Sequence, residues 1–223
     1  MVRPAACLFD LDGLLLDTEP LHAEAWQQAS SSFGRPLSAD ELLALRGRRR
    51  HDCADQVVQW IAGNGTTPPS REELLAVRQP IAEALLVHAA PMPGAPELVE
   101  QCAALGIPMA MATSSSRAAV TLKASPHPWL ERIAVRVHGD DPALANGKPA
   151  PDVFLLAAER LGVQAGDCWA FEDSPAGVRA AVAAGCLVHV LPPDHLKPGE
   201  RDQLYPGIHH FLSSLVEVLE TLQ

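Results

Sequence analysis

The chain has 223 residues, of which 48% are apolar, so it is long enough to fold around a sizeable hydrophobic core. Its formal net charge of -10 argues against a general nucleic-acid or anionic-membrane binder, because the field of an acidic protein repels polyanions. Any anionic ligand would need cations that are placed locally.

The five cysteines are odd in number, widely spaced and free of any CxxC pair. This pattern favours reduced thiols over a disulfide framework or a zinc site. The N-terminus is apolar only briefly, and no run of about 18 apolar residues marks a membrane span. We therefore expect a soluble, cytoplasmic protein with neither nucleic acid nor membrane as a partner.

The first predicted element is a short apolar strand that starts at Ala5 and ends at two acids, Asp10 and Asp12. Side chains alternate along a strand, so the two carboxylates project to the same side, and Gly13 then lets the chain turn sharply. Two like charges held this close cost stability unless a cation or a substrate offsets them. The pair predicts a ligand site, whereas a strand end with solvated acids is the alternative for either acid alone.

Helical patterns dominate the next part of the chain. They cover Leu21–Phe33, a short helix from Ser38 to Leu45, Asp52–Ala62 and a longer stretch from Ser70 toward Ala89, with a loop at residues 64–69. Ser38 with Glu41 and Ser70 with Glu73 have capping-box spacing, and Pro80 is expected to kink or split the last helix. Because no strand pattern occurs between Leu16 and Ala89, this part of the chain is predicted to be an all-helical insert.

From Pro91 onward, helical and strand-like segments alternate. The predicted strands lie at Ile107–Thr113, Ile133–Val137, Cys168–Phe171 and Leu187–Leu191, and the predicted helices lie before Gly106, after Ser116, and at Asp152–Leu161, Pro175–Ala184 and Phe211–Leu222. This alternation predicts the α/β class, with a Rossmann-like parallel sheet whose strands are joined by crossover helices.

Polar residues occur where the predicted strands end. They are Asp10 and Asp12 after the first strand, Thr113 and Ser114 after the second, Glu172 and Asp173 after another, and Lys148 in a loop just before a helix. In parallel sheets, ligands bind beyond the carboxyl ends of the strands. Taken singly, Thr113 could be a strand-end hydroxyl and Lys148 a surface lysine. The order in which all these polar residues occur along the chain favours a single shared binding site.

Four sequence strings carry a family resemblance. FDLDGLLLDT, which contains Asp10 and Asp12, resembles the first motif of the haloacid dehalogenase-like (HAD) superfamily. The strings MATS, GKPAPD and FEDSPAG resemble the other three motifs, in the family's order. The resemblance covers nearly the whole chain and points to the beta-phosphoglucomutase-like phosphatase subfamily.

The resemblance implies a role for each of these residues. Asp10 would attack phosphorus and become an aspartyl phosphate, and Asp12 would act as general acid and base. The phosphate-binding groups would be the Thr113 hydroxyl, the Ser114 amide and Lys148. The cofactor would be Mg²⁺, held by Asp10, the main-chain carbonyl of Asp12, Asp173 and Glu172.

The helical insert resembles the small C1-type cap of this superfamily, which gives a cap at residues 16–89 and a core at residues 1–15 and 90–223. Its turn between helices carries four arginines, Arg46, Arg48, Arg49 and Arg50. Arg50 is the best candidate for substrate binding because its position resembles the cap arginine of beta-phosphoglucomutase-like members, although a solvated basic turn is an equal alternative.

Three histidines complete the set of candidates. His22 lies in a DTEPLH string that is common in those members, so it is a second candidate for substrate binding, with a core or surface histidine as the alternative. His209 and His210 are interpreted as structural or exposed.

Two reactions could use these residues. The first is Mg²⁺-dependent hydrolysis of a small phosphate monoester, with a sugar phosphate as the expected substrate, and the alternative is a beta-phosphoglucomutase-type transfer back to a sugar. A dehalogenase is disfavoured because such members lack an acid at the place of Asp12, and a phosphate-binding module without turnover would not need that acid. The expected partner is a small phosphorylated metabolite, and the expected state is a monomer.

Overall fold

The computed structural model describes residues 3–63, 65, 67–193 and 196–222. Among these residues one sheet is formed by β1 (Ala6–Phe9), β2 (Met109–Ala112), β3 (Val135–Val137), β4 (Cys168–Glu172), β5 (Leu187–Val190) and β6 (His210–Phe211). Its strand order is β3-β2-β1-β4-β5-β6, and every neighbouring pair is parallel. The predicted Rossmann-like α/β core is therefore confirmed.

Helices connect and cover these strands. They are α1 (Glu19–Ser32), α2 (Ala39–Leu45), α3 (Arg50–Gly63), α4 (Arg71–Leu86), α5 (Ala95–Ala104), α6 (Arg117–Ala124), α7 (Asp152–Leu161), α8 (Pro175–Ala183), α9 (Pro198–Leu204) and α10 (Val216–Thr221). The first four follow β1 directly and precede β2, and no strand separates them in the described part of the chain. We call α1–α4 the cap helices.

Local sequence signals explain where the cap helices begin and continue. Both predicted capping boxes are present: the Ser38 and Ser70 side chains accept from the Glu41 and Glu73 amides, respectively, at the starts of α2 and α4. Pro80 was expected to kink or split the last cap helix; a split is wrong, because α4 runs through Pro80. A proline removes one helical hydrogen bond, and packing of α4 against α1 and α3 compensates for that loss.

Several predicted boundaries need correction. Helix α3 begins at Arg50 rather than Asp52. The last predicted helix begins at Val216 rather than Phe211, because Phe211 pairs with Val190 at the sheet edge, and α9 was not predicted. The predicted loop at residues 64–69 includes positions 64 and 66, which lie outside the described residues.

Both faces of the sheet are buried. Side chains alternate along β1, so Phe9 faces one side, where its ring stacks on Phe171 at a centroid distance of 5.0 Å, and Leu8 faces the other. Helices α5 and α10 cover the first face, and α7 and α8 cover the second. The cap helices form a separate apolar cluster that includes Trp26 and Ile61. This double coverage leaves the strand ends as the accessible part of the sheet.

All five cysteines are buried and free. His209 and His210 are exposed at the sheet edge, as expected. In the described part of the chain, no helix has both the length and the apolar character needed to cross a bilayer.

Candidate active site

The candidate site lies where the strand order reverses. Strand β1 is flanked by β2 and β4, so the carboxyl ends of these three strands meet at one edge of the sheet. A cavity of about 1730 Å³ opens there between the core and the cap helices. Among the residues that line it are Asp10, Asp12, His22, Arg50, Thr113 and Ser114. The fold thus brings residues from distant parts of the chain to one cavity.

Lys148 lies between two buried carboxylates. Its Nζ contacts Asp10 Oδ1 and lies 2.5 Å from Glu172 Oε1. The pKa of Asp10 is raised to about 8, chiefly by burial; the neighbouring acids Glu172 and Asp12 add to this shift, and Lys148 opposes it. Despite the burial of its own side chain, Lys148 has a pKa above the usual range because two acids surround it. Asp10 therefore needs more positive charge nearby to be an ionised nucleophile at neutral pH.

The residues present fit a divalent cation. Carboxylate oxygens of Asp10, Glu172 and Asp173, which we call the acid cluster, lie within 4.8 Å of one another. Asp173 Oδ1 is buried and has no hydrogen-bond partner among the described residues. Several oxygen ligands with a surplus of negative charge are what hard cations such as Mg²⁺ prefer. The acid cluster can therefore bind a divalent metal ion.

Hydrogen bonds fix the orientation of the acid cluster. Glu172 Oε2 accepts from the backbone amides of Asp173 and Ser174, at 3.1 and 3.2 Å, and from the Ser174 hydroxyl. Tyr205 Oη donates to the Asp173 carbonyl at 2.8 Å. Tyr205 is the only tyrosine of the chain, and no local pattern in the sequence indicated this long-range contact.

Asp12 has different partners. Its Oδ1 accepts from Thr18 Oγ1 at 2.8 Å and from Lys123 Nζ, and its Oδ2 accepts from Ser115 Oγ at 2.7 Å. His22 Nε2 lies 3.2 Å from Oδ1. Burial alone would raise the pKa of Asp12, but Lys123 and His22 hold it well below its usual range. The side chain is thus held as a carboxylate.

The cap positions His22 through Arg78. Arg78 Nη2 lies 2.7 Å from His22 Nδ1, and its guanidinium lies over the Trp26 ring at 4.5 Å. Because arginine can only donate, Nδ1 accepts and Nε2 carries the proton that points to Asp12. This contact connects a cap helix to the end of β1.

Sequence reasoning missed Lys123, Ser115 and Arg78. Lys123 lies three residues after Val120 on the buried face of α6, so its helical spacing was the available signal. Ser115 is the middle residue of the serine run Ser114–Ser116, and Arg78 is one of many charged residues in α4. Neither had a sequence feature that separated it from exposed polar residues.

The turn between α2 and α3 contacts the core directly. Ser114 Oγ donates to the Gly47 carbonyl at 2.8 Å, and Arg46 Nη2 donates to Asp173 Oδ2 at 2.6 Å. Arg46 Nε also lies 2.9 Å from Glu19 Oε2. Burial raises the pKa of Glu19 to about 7, although Arg46 opposes this. The turn between these cap helices therefore contacts the core beside the acid cluster.

The other arginines of this turn have separate surroundings. Arg50 Nη1 donates to Gln79 Oε1 at 2.7 Å within the cap. The side chain of Arg49 packs against Gly147, next to Lys148, and within the described part of the chain its buried Nε has no hydrogen-bond partner. Arg48, Arg49 and Arg50 all line the cavity. The structure thus places Arg46, rather than Arg50, against the acid cluster.

Thr113 and Ser114 follow β2 at the cavity. Thr113 Oγ1 accepts from the Ser115 amide at 3.0 Å, which folds the serine run back toward the strand end. Thr113 is almost fully buried, and its own amide donates to Val137 in the neighbouring strand. The run is therefore held beside Asp12, at the same edge of the sheet as the acid cluster.

A glycine is required at position 13 both by the backbone conformation and by the lack of room for a side chain. Adding a methyl group there is therefore expected to lower stability and activity strongly. The φ of Gly13 is +85°, and a Cβ would lie 2.2 Å from Asp173 Oδ2. Gly34 is a matched control, because its φ is +76° but, its chain neighbours aside, no described residue has an atom within 4 Å of its Cβ position. We expect Gly34→Ala to lower the free energy of unfolding by about 1 to 2 kcal/mol. Gly13→Ala is expected to lower it by more and to reduce activity as well.

Urea unfolding of the two variants measures this difference. Equal losses, with full activity in Gly13→Ala, would show that the contact with Asp173 does not constrain the site.

Comparison with known proteins gives a consistent set of matches. Residues 4–185 match the model of the haloacid dehalogenase-like hydrolase family. A probable pseudouridine-5'-phosphatase of Drosophila melanogaster is 38% identical over 194 residues, covering 85% of this chain and 82% of that protein. The fructose-1-phosphate phosphatase YqaB of Escherichia coli is 33% identical over 192 residues, covering 82% of this chain and 94% of that protein.

A solved structure resembles almost the whole chain. The structure of CbbY from Rhodobacter sphaeroides in complex with phosphate has a TM-score of 0.80 and 27% sequence identity. The match covers 97% of this chain and 96% of that one, so it includes both the core and the cap helices.

Proposed function

Because this chain belongs to the haloacid dehalogenase-like hydrolase family and is a phosphomonoester hydrolase, we propose that it is a Mg²⁺-dependent phosphatase that forms an aspartyl phosphate at Asp10. The substrate is a small phosphorylated metabolite, and we propose a sugar phosphate. The observation that carries the proposal is the contact of Lys148 with both Asp10 and Glu172, with Asp173 completing the acid cluster.

The first step transfers the phosphoryl group to the protein. A carboxylate oxygen of Asp10 attacks phosphorus, a bond from Asp10 to phosphorus forms, and the bond from phosphorus to the substrate oxygen breaks. For this step Asp12 must hold a proton, which Lys123 and His22 make the minor form in the unliganded chain, and it gives that proton to the departing alkoxide. Lys148, the Thr113 hydroxyl and the Ser114 amide bind the phosphoryl oxygens and offset their charge.

The second step releases phosphate. A water oxygen attacks the same phosphorus, the bond from Asp10 to phosphorus breaks, and Asp12 takes a proton from the water. Lys123 and His22 favour the carboxylate form of Asp12, which is the form that this step needs. The protein returns to its starting state with one water consumed.

The acid cluster would hold the metal ion. Asp10, Asp173 and the main-chain carbonyl of Asp12 would be ligands, and Glu172 would assist directly or through water. A divalent ion held there would offset charge on the phosphoryl oxygens and on Asp10. The unpartnered Oδ1 of Asp173 supports this assignment, because Arg46 occupies only Oδ2.

The cap supports a polar substrate of modest size. Arg48, Arg50 and Gln79 line the cavity on the cap side, and guanidinium and amide groups suit sugar hydroxyls. Phosphatases of pseudouridine 5'-phosphate and fructose 1-phosphate are among the relatives, which favours a sugar-containing ester. His22 and Arg50 are proposed as residues that face this substrate.

A panel assay with metal control tests the function. We expect Mg²⁺-dependent release of inorganic phosphate from at least one of pseudouridine 5'-phosphate, fructose 1-phosphate and glycerol 3-phosphate, with kcat on the order of 1 to 10³ per second. EDTA is expected to stop the release and added Mg²⁺ to restore it, because the acid cluster needs a cation.

Two other results would change the assignment. Conversion of β-glucose 1-phosphate to glucose 6-phosphate, dependent on a bisphosphate activator and faster than phosphate release, would identify the mutase instead. Phosphate release that is insensitive to EDTA would contradict the metal-dependent mechanism.

A further inference from the structure

Lys123 is a buried cation outside the four motifs. It lies in the last turn of α6, and its side chain has no exposed surface. Its neighbours on the same helix differ in environment: Val120 shares the buried face, whereas Arg117 is exposed. Burying an ammonium group costs several kcal/mol unless it is paired and hydrogen-bonded. The partners of Lys123 therefore indicate what the residue does.

Lys123, Ser115 and Asp12 form a closed hydrogen-bonded ring. Lys123 Nζ contacts Asp12 Oδ1 and donates to Ser115 Oγ at 2.8 Å. Ser115 Oγ lies 2.7 Å from Asp12 Oδ2. An ammonium group can only donate, so the serine oxygen accepts from Lys123 and its single proton goes to Asp12. Both oxygens of the Asp12 carboxylate are thus fixed from the core side.

The remaining hydrogen bonds to Asp12 come from the cap side, and their donors are uncharged. Thr18 and His22 lie at the start of the cap helices, and His22 donates from Nε2 while its Nδ1 accepts from Arg78. His22 is therefore a neutral donor in this arrangement. The positive charge that directly contacts Asp12 is the ammonium group of Lys123, which the core supplies.

We propose that Lys123 is a positioning residue for hydrolysis of the phosphorylated protein. Together with Ser115 it holds the Asp12 carboxylate in the orientation that takes a proton from the attacking water. In that step the bond from water oxygen to phosphorus forms, the bond from Asp10 to phosphorus breaks, and the water proton goes to Asp12. Lys123 keeps its own protons throughout. The inference rests on the proposed function.

Steady-state kinetics with p-nitrophenyl phosphate separate this role from a structural one. Nitrophenolate leaves without being protonated, so kcat/KM reports formation of the phosphorylated protein and does not depend on Asp12. In Lys123→Met we expect kcat to fall about 100-fold, because proton transfer in the second step is impaired. We expect kcat/KM to stay within about threefold, so that KM falls with kcat. A burst of nitrophenolate approaching one per chain is expected.

Two further variants complete the test. Arg117→Met removes a positive charge from the exposed face of the same helix and is expected to leave both constants unchanged. Ser115→Ala keeps the Lys123 charge. It is expected to show the same pattern of a lower kcat with a nearly unchanged kcat/KM, with kcat about 10-fold lower. Because the ring acts as a unit, the effects of Lys123→Met and Ser115→Ala are expected to be non-additive in the double variant.

Each outcome decides the inference. A parallel loss of kcat and kcat/KM without a burst would show that Lys123 is structural, and unchanged kcat would show that it is dispensable. If Lys123→Met does not fold, the comparison of kcat with kcat/KM in Ser115→Ala decides in the same way. Absence of phosphatase activity in the unaltered chain, with all substrates of the panel and p-nitrophenyl phosphate, is a separate result that removes the proposed function and this inference with it.

Discussion

Replacement of Asp10 by Asn is expected to abolish turnover, with kcat at least about 10⁴-fold lower, because an amide cannot form the phosphorylated intermediate. The fold is expected to persist. Burial and neighbouring acids raise the pKa of Asp10 to about 8, so its ionised form is disfavoured without a bound cation. A neutral amide of the same shape avoids the cost of burying that charge. Phosphate release and thermal melting, measured on the same samples, check both parts.

A matched control separates loss of the nucleophile from loss of an acid in general. Asp167 is exposed just before β4, at the opposite end of the sheet from the site. Asp167→Asn is expected to keep full activity. If Asp10→Asn retains activity within about tenfold of the unaltered chain, Asp10 is not the nucleophile and another group must accept the phosphoryl group.

Lys148→Met is expected to damage both stability and activity. The substitution leaves the buried Asp10 and Glu172 carboxylates without their shared ammonium group, which costs about 3 to 5 kcal/mol of unfolding free energy. Loss of a cation that offsets phosphoryl charge is expected to lower kcat about 10² to 10³-fold. Urea unfolding in EDTA and the phosphate-release assay measure the two effects.

The pH dependence of that loss has a definite sign. An acid with a raised pKa holds its proton in the folded state at pH values where the unfolded chain has lost it, so stability falls as pH rises between about 4 and 8. Folded Asp10 holds its proton at pH 5 in both chains, and Lys148 opposes the raised pKa of Asp10, so the loss in Lys148→Met is expected to grow as pH rises through about 8 and to be larger at about pH 9 than at pH 5.

An exposed ion pair provides the comparison for Lys148. Arg132 pairs with Glu100 at the surface, and Arg132→Met is expected to cost less than about 1 kcal/mol. Similar losses in Arg132→Met and Lys148→Met would mean that the buried contacts contribute little to stability.

The sequence predicted the core because strand ends and helix signals are local. The apolar run before Asp10 and the capping boxes depend on residues close together in the chain, so the order of elements followed from spacing alone. The edge of the sheet was less predictable. Strand β6 has two residues, and its pairing with β5 depends on a neighbour that is distant in sequence.

The contacts around Asp12 could not be predicted from the sequence. Lys123 looks like any helical lysine until the packing of α6 shows that it faces Asp12. Spacing likewise located the arginine turn of the cap, but it could not show that Arg46 contacts Asp173 while Arg50 contacts Gln79. Such assignments depend on how two separately folded parts of the chain meet.

Asp10 is proposed to carry the phosphoryl group during turnover. Rapid acid quench of the Mg²⁺-loaded chain with p-nitrophenyl phosphate, followed by peptide mass spectrometry, tests this directly. We expect a phosphorylated peptide that contains Asp10, formed and lost at rates compatible with turnover and absent from Asp10→Asn. Turnover without any phosphorylated protein, or with the phosphoryl group on another residue, would contradict it.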